Sequence, residues 1–407
     1  VRAAVLATGS ELLHGQVRDA NGAFIASRLF RTDLELDEMR FTGDRGDDIR
    51  RALKELTARR GAVFVTGGLG PTEDDITCDA VCALMNLRTE VHEASRGRMI
   101  DFFALRGMTP NDGDMKMVTV PEGARVFPND IGLACGFAVT RNGCAIIAMP
   151  GVPREMNRMF DAHVVPYLTG DLGVKTRRHL VFRAVAIRES EVNLRVKSLG
   201  LPLDGMEWGI CTAPGLNEVT FAESPGLPFP ADDISAAMNG AFGGSLLERG
   251  SLEEEVVFLL GERGRTLAIA ESCTGGMAAA LVTAVPGASN VFLGGVTAYS
   301  NESKARLLGV AGATLERYGA VSEETAREMA EGARRAFGAG IGVSITGIAG
   351  PGGGSDDKPV GTVCFGLATP DATVARREFI PGDRERVRAF SAVIALNMVR
   401  THLQEKG

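Results

Sequence analysis

The chain has 407 residues, more than one ordinary domain holds, so two or three domains with separate cores are expected. Hydrophobic residues make up 45% and charged residues 23%, an ordinary globular composition. A net charge of -7 with a pI near 5.5 argues against wrapping nucleic acid or an anionic membrane, yet leaves room for a small anionic ligand cradled by backbone amides.

No apolar run approaches the ~18 residues of a membrane span. The opening "VRAAVLATG" runs straight into "SELL" and reads as a first strand rather than a signal peptide. Seven cysteines are scattered along the chain; Cys78 and Cys82 lie four apart on an expected helix, not in a CxxC loop. Reduced thiols in a cytoplasmic protein are the expectation, rather than disulfides or structural zinc.

Residues 1–170 alternate strand-like runs with amphipathic stretches. "AAVLAT" precedes a helix through "DANGAFIASRLF", "AVFVTGG" precedes one from about Thr77, and "CAIIAMPG" leads into "PREMNRMFDAHVVPYL". Strand, glycine loop and helix in repetition predict an α/β domain with a parallel sheet. Residues 171–250 predict a small α+β module: strand "HLVFRAVAI", helix "ESEVNLRVKSL", strand "NEVTFAES", then the punctuation of "PGLPFPADD". From Ser251 a third segment, 251–407, begins on a capping box of Ser251 and Glu254. It predicts strands at "TLAIAES", "VFLGGVTAYS", "IGVSITG" and "GTVCFGLAT", a hairpin around Pro370-Asp371, and a last helix from Asp383. This is again α/β.

In the third segment "AIAESCTGG" places Ser272 and Cys273 at a strand end, with Gly275 and Gly276 clearing space beside them. The only histidine there is His402, near the end of the last helix, so a Ser-His-Asp triad has no base. "TAYSNESK" offers Tyr299 and Lys304 instead; burial would lower the lysine's pKa enough for it to serve as a base. Each has a plainer alternative: Ser272 a helix N-cap, Lys304 a solvated helix residue, Tyr299 a core tyrosine, Cys273 a small buried hydrophobe or a rival nucleophile. The loop "SITGIAGPGGGSDDKPVGT" is glycine-rich and suited to holding phosphate or ribose oxygens through N–H groups, or is a surface turn. No metal-ligand spacing occurs in 251–407.

In the first segment Thr66, Gly67, Gly68, Leu69, Gly70 and Pro71 follow a strand and precede a helix, a place for a pyrophosphate. Glu73, Asp74 and Asp75 stand just after it, suited to a bridging divalent cation or to capping the helix from Thr77.

"AESCTGG", "VPGASNVFLGGVTAYSNESKARLLGV", "GAVSEETAREMA", "TGIAGPGGGSDDKPVGTV" and "GDRERVR" resemble the C-terminal domain of the CinA (competence/damage-inducible) family, over essentially all of 251–407. The resemblance implies a nicotinamide-nucleotide amidase that hydrolyses nicotinamide mononucleotide (NMN) to the acid and ammonia, without a cofactor. It puts the nucleophile on Ser272 and the tyrosine and lysine on Tyr299 and Lys304, and makes Arg384 or Arg386 a phosphate ligand. Thr274, Gly275, Gly276, Asn301, Thr346, Gly347, Gly350, Gly352 and Gly353 fall in its substrate-binding motifs.

"TGSELLHGQVRDANGAFIASRL", "TGGLGPTEDDITCDAV" and "MPGVPREM" resemble the molybdopterin-binding (MoCF-like) domain that heads full-length members of that family. That implies nucleotide contacts from Thr8, Gly9, Glu11, Asn21, Thr66 to Gly68, Gly70, Pro71, Thr72, Pro150 and Gly151. It also implies a divalent ion (Mg, Co or Mn) near Asp44, Asp74 and Asp75, with ADP-ribose as substrate. A molybdopterin transferase or a ligand-sensing module is the alternative. Two departures stand out: Cys135 in "LACGF" replaces a usual proline, and His14 an apolar residue. The middle segment corresponds to the family's KH-type module. Its one GxxG, Gly170–Gly173, precedes the first strand, so RNA binding is not expected, and a spacer or homodimerisation role is.

Overall fold

The computed structural model describes residues 1–201, 203, 206–224 and 229–405. Of the punctuation expected at 225–233, residues 225–228 lie outside them. The described chain forms two compact units, residues 1–178 and 179–407.

The first unit is built on strands β1 (Arg2–Thr8), β2 (Glu35–Thr42), β3 (Ala62–Thr66), β4 (Thr89–Val91), β5 (Thr119–Pro121), β6 (Arg125–Phe127), β7 (Gly136–Arg141) and β8 (Cys144–Met149). Six of them form one sheet in the order β2-β1-β3-β8-β7-β6, and β4 pairs with β5 apart from it. β2, β1, β3 and β8 are parallel, whereas β8-β7 and β7-β6 are antiparallel. The sheet is therefore mixed rather than purely parallel. The cause is the tight turn at Asn142-Gly143, where both residues have positive φ, the geometry of a two-residue hairpin.

The central strands are apolar along their whole length because helices cover both faces. Alternate residues separate to the two sides. Leu6, Val65 and Ile146 meet the amphipathic helix Gly46–Thr57 through Ile49, Leu53 and Leu56. Val5, Phe64 and Ile147 meet Ile25, Met156 and Phe160. Residues 171–178 stay with this unit: Asp33 N donates to Lys175 O, and Thr32 bridges Thr176.

In the second unit β9 (His179–Val185), β10 (Glu207–Ala213) and β11 (Leu216–Ala222) form an antiparallel sheet ordered β10-β11-β9. Helices Glu189–Lys197 and Ala231–Phe242 supply Val192, Val196, Ile234 and Met238 to its core. β10 and the helix from Ala231 are additions to the sequence reading. β10 is a sheet edge whose residues are exposed or half-buried, so it lacks a strong apolar alternation.

The larger sheet comprises β12 (Leu267–Glu271), β13 (Phe292–Thr297), β14 (Ile341–Gly347), β15 (Thr362–Ala368) and β16 (Thr373–Phe379), ordered β13-β12-β14-β15-β16. The first three are parallel; β15 and β16 run antiparallel through the expected hairpin. Helices Leu252–Glu262, Met277–Thr283 and Arg384–Glu405 cover one face, and Asn301–Leu308 and Glu323–Phe337 the other. The last of these sits so close that a Cβ on Gly342 would come 2.2 Å from Ala330 O.

Arg400 and Glu255 are both buried and form an ion pair. The guanidinium also donates to Leu246 O, while Glu255 accepts from the N–H of Glu248 (2.6 Å) and Arg249 (3.3 Å). The pair thus ties the end of the smaller module to two helices of the larger one. Removing one partner strands a buried charge, so Arg400→Met is expected to cost about 3–5 kcal/mol. Adding Glu255→Gln should restore part of that loss, since the amide keeps a carbonyl for the two N–H groups. Urea unfolding followed through Trp208, the sole tryptophan, measures both. An Arg400→Met midpoint equal to wild type contradicts this account.

Candidate functional site

β12 is buried along its length and carries Glu271 at its end, 1% exposed. The Glu271 carboxylate turns onto the following helix and accepts from Gly276 N (2.9 Å), Ala278 N (3.2 Å) and Ala279 N (2.9 Å). An anion on the otherwise unpaired amides of a helix start is favourable. Glu271 therefore caps this helix, not Ser272. The turn between them uses positive φ at Gly275 and Gly276.

Ser272 is held by its own N–H, which donates to Ile345 O at 2.9 Å. Its Oγ is left for Lys304, whose Nζ donates to it at 3.0 Å. Lys304 lies one turn into the helix Asn301–Leu308, which Ser300 caps by accepting from Ser303 N. It is 1% exposed, so it is not a solvated helix residue. Its other contacts are Ala298 O (2.9 Å) and Tyr299 O (3.4 Å). Burial pushes the Lys304 pKa down; nearby Cys273 works weakly in the opposite sense. Its three partners are two carbonyls and one hydroxyl, and none of them is a carboxylate that would favour the charged amine. Cys273 is buried, and desolvation raises its thiol to about 11, which keeps it protonated near neutrality.

Around this pair three loops meet the start of the last helix. Arg384 donates to Gly350 O (2.7 Å) and to Tyr299 Oη (3.2 Å). Tyr299 is 63% exposed, a rim residue and not a core tyrosine. Arg386 instead stacks over Phe390 at 4.8 Å, so of the two expected phosphate ligands only Arg384 joins the loops. Arg388, which the sequence reading missed, donates to Cys273 O (3.1 Å) and Thr274 O (2.8 Å) and fixes the nucleophile loop. Thr274 is fully buried, and its Oγ1 has no partner among the described residues. Thr346 and Gly347 serve the strand end: Thr346 Oγ1 donates to Ala320 O at 2.7 Å, and Gly347 lies against Val363. Asn301, Gly352 and Gly353 are exposed.

The first unit presents a second site where β1, β3 and β8 end side by side. It is a cleft of about 630 Å³. Its floor is the turn after β3. Gly67 N donates to Met149 O, and Thr77 Oγ1 returns a hydrogen bond to Gly67 O (2.9 Å). Gly67 and Gly68 have positive φ, and a Cβ on Gly68 would lie 2.2 Å from Thr77 Oγ1. Thr8, Gly9, Glu11 and Asp44 form one wall; Gly70, Pro71, Asp74 and Asp75 line the cleft after the turn; Pro150 and Gly151 follow β8. Asp44 accepts from Ser10 N (2.8 Å), and Asp75 accepts from Thr72 N (2.9 Å) and Thr72 Oγ1 (2.6 Å). Asp75 thus shapes the turn and does not cap the helix Thr77–Met85, which has no side-chain cap.

Thr66, Thr72 and Asn21 are not among the residues that line the cleft. Asn21 Nδ2 donates to Gly151 O (2.8 Å), and its buried Oδ1 has no partner among the described residues. His14 is exposed. Cys135 is buried, with its N–H and thiol both on Met117 O. Among the described residues no three of His, Cys, Asp or Glu gather as a metal cage. Glu155 and Phe102, which also line the cleft, carried no signal in the sequence because each arrives from a distant helix.

Residues 249–403 match the CinA C-terminal domain, and residues 4–170 match a family described as the probable molybdopterin binding domain. A CinA-like protein of Anaeromyxobacter sp. (strain Fw109-5) is 41% identical, over 98% of this chain and 98% of its own. A competence-damage inducible protein of Caldanaerobacter subterraneus subsp. tengcongensis is 37% identical over 99% of both. Among solved structures, the competence/damage inducible protein CihA from Agrobacterium tumefaciens is 36% identical, covers 39% of this chain and 98% of its own, and aligns with a TM-score of 0.37. Matched at both ends and along its length, the chain belongs to the CinA family, with a MoCF-like domain at its N-terminal end.

Proposed function

We propose that the second unit is an amidohydrolase acting on the carboxamide of NMN, with Ser272 as nucleophile and Lys304 as base. The observation that carries this is the buried Ser272–Lys304 hydrogen bond of 3.0 Å, made by a lysine whose pKa is pushed down. Neutral Lys304 takes the proton of Ser272 as Oγ attacks the carboxamide carbon. The resulting ammonium returns that proton to the leaving nitrogen, and ammonia departs from an acyl-serine. Water, deprotonated by the same amine, then releases the acid and restores Ser272. Ala298 O and Tyr299 O hold the amine in place throughout. Arg384, exposed beside Gly350 and Tyr299, suits the phosphate at the far end of the substrate.

For the first unit we propose metal-assisted hydrolysis of ADP-ribose to AMP and ribose 5-phosphate. The glycine turn and the neighbouring carboxylates support that reading over a purely sensing module. Asp44 and Asp75 each leave one oxygen outside their hydrogen bonds to the chain. That fits an ion of the magnesium type, bound through one or two carboxylates together with substrate phosphates. Such an ion would polarise the pyrophosphate and offset its charge. The turn amides would hold the phosphate oxygens, and Thr72 would keep Asp75 oriented.

Ser272→Ala is expected to lower kcat for NMN by at least about 10³-fold, and Cys273→Ala to keep most of it. Lys304→Arg should be nearly as damaging as Lys304→Ala, because a guanidinium keeps its proton. In wild type the base works only when deprotonated. kcat/KM should therefore rise with pH and level off above a midpoint lower than the ~10.4 of free lysine. Ammonia release measured for the four variants, with a wild-type pH series, checks this; a near-normal Lys304→Arg ends the lysine-base mechanism.

Asp75→Asn should abolish ADP-ribose hydrolysis while NMN turnover stays within a few-fold, and a chelator should have the same selective effect. Product analysis of both substrates with one preparation decides it. Loss of both activities together in a folded Asp75→Asn protein would refute two separate sites.

A further inference from the structure

The cleft of the first unit is chemically two-sided. Its floor is backbone: among the described residues the N–H groups of Gly68, Leu69 and Gly70 have no acceptor. Beside these amides and the acidic groups, its lining includes the apolar side chains of Phe102, Met117, Ile131 and Leu133. Phe102 belongs to the helix Glu93–Ala104 and is 38% exposed although it lines the cleft. Two neighbours pack on its ring. The Arg106 guanidinium lies 3.6 Å from the ring centroid, and Arg106 Nη1 donates to Phe102 O at 3.0 Å. Phe103 meets it edge-on, with centroids 5.8 Å apart. A cation pinned over one face of an aromatic ring leaves one face for a ligand and fixes its orientation beforehand.

A ligand that uses both sides carries phosphate at one end and a flat apolar ring at the other. We propose that Phe102 is the stacking platform for the base of a purine nucleotide whose phosphates lie on the Gly68–Gly70 amides. This deepens the reading of the first unit and rests on it for the phosphate end. Stacking reads the face of a base and not its hydrogen-bonding edge, so adenine and guanine should be accepted alike. Specificity for the rest of the molecule then belongs to the acidic wall.

The test is calorimetric titration of the full chain, in magnesium, with ADP, GDP and inorganic pyrophosphate. Wild type, Phe102→Ala and Phe102→Trp are compared, with thermal midpoints and ADP-ribose hydrolysis measured in parallel. ADP and GDP should bind wild type with affinities within about threefold of each other. Phe102→Ala should weaken both by roughly 10- to 100-fold and leave pyrophosphate unchanged, and Phe102→Trp should restore binding. The proposal is overturned if Phe102→Ala weakens pyrophosphate as much as ADP, if it leaves ADP affinity intact, or if wild type binds neither nucleotide. ADP bound through Phe102 but ADP-ribose left intact supports stacking and refutes the hydrolase reading. Hydrolysis with an unchanged KM in Phe102→Ala refutes stacking alone.

Discussion

An amine buried to 1% exposure, whose partners among the described residues are two carbonyls and a hydroxyl and no carboxylate, is held where its protonated form is disfavoured. That constraint on Lys304 organises the second unit. The helix start at Ser300 sets how far along the chain the amine enters. The end of β13 supplies the carbonyls that receive its N–H groups. Ser272 must then stand within one hydrogen bond, and the Ile345 carbonyl holds its backbone there. Glu271 and Arg388 fix the rest of the loop, one through the amides of the next helix and one through the carbonyls of Cys273 and Thr274.

Both units use the ends of adjacent parallel strands in the middle of a sheet, where connections leave the strands and a crevice forms. They differ in how the turn after the strand is stabilised. In the second unit the Glu271 carboxylate takes the amides of the helix start, which leaves the serine side chain to Lys304. In the first, a threonine hydroxyl closes the glycine turn and the acidic residues remain along the cleft.

The candidate residues stood out in the sequence because their local settings are unusual: a serine after an apolar strand before paired glycines, and a lysine soon after a strand end in a segment with no usable histidine. What the sequence did not disclose depends on tertiary approach. Arg388 differs from Arg384 and Arg386 only in which side of one helix it occupies, and the structure sends the three to different partners. Phe102 reads as one apolar residue among several on a helix of weak amphipathicity. The mixed character of the first sheet was written in Asn142-Gly143, a hairpin signal overshadowed by the strand–loop–helix repetition around it. β10 escaped notice because an edge strand with half-exposed residues has little periodicity to show.

The floor of the first cleft has a consequence for how its chemistry can change. At Gly67 and Gly68 an added methyl group would run into Thr8 and Thr77, and the backbone there has positive φ. A Cβ at Gly70 would come 2.5 Å from Asp75. Side chains therefore cannot be grafted onto the floor, and what it offers a ligand is fixed as peptide N–H. On the proposed reading, a change in substrate range has to come from the walls, where Phe102, Ile131 and Glu155 line the cleft. On the proposed reading, the cleft is a constant anion seat beneath exchangeable sides.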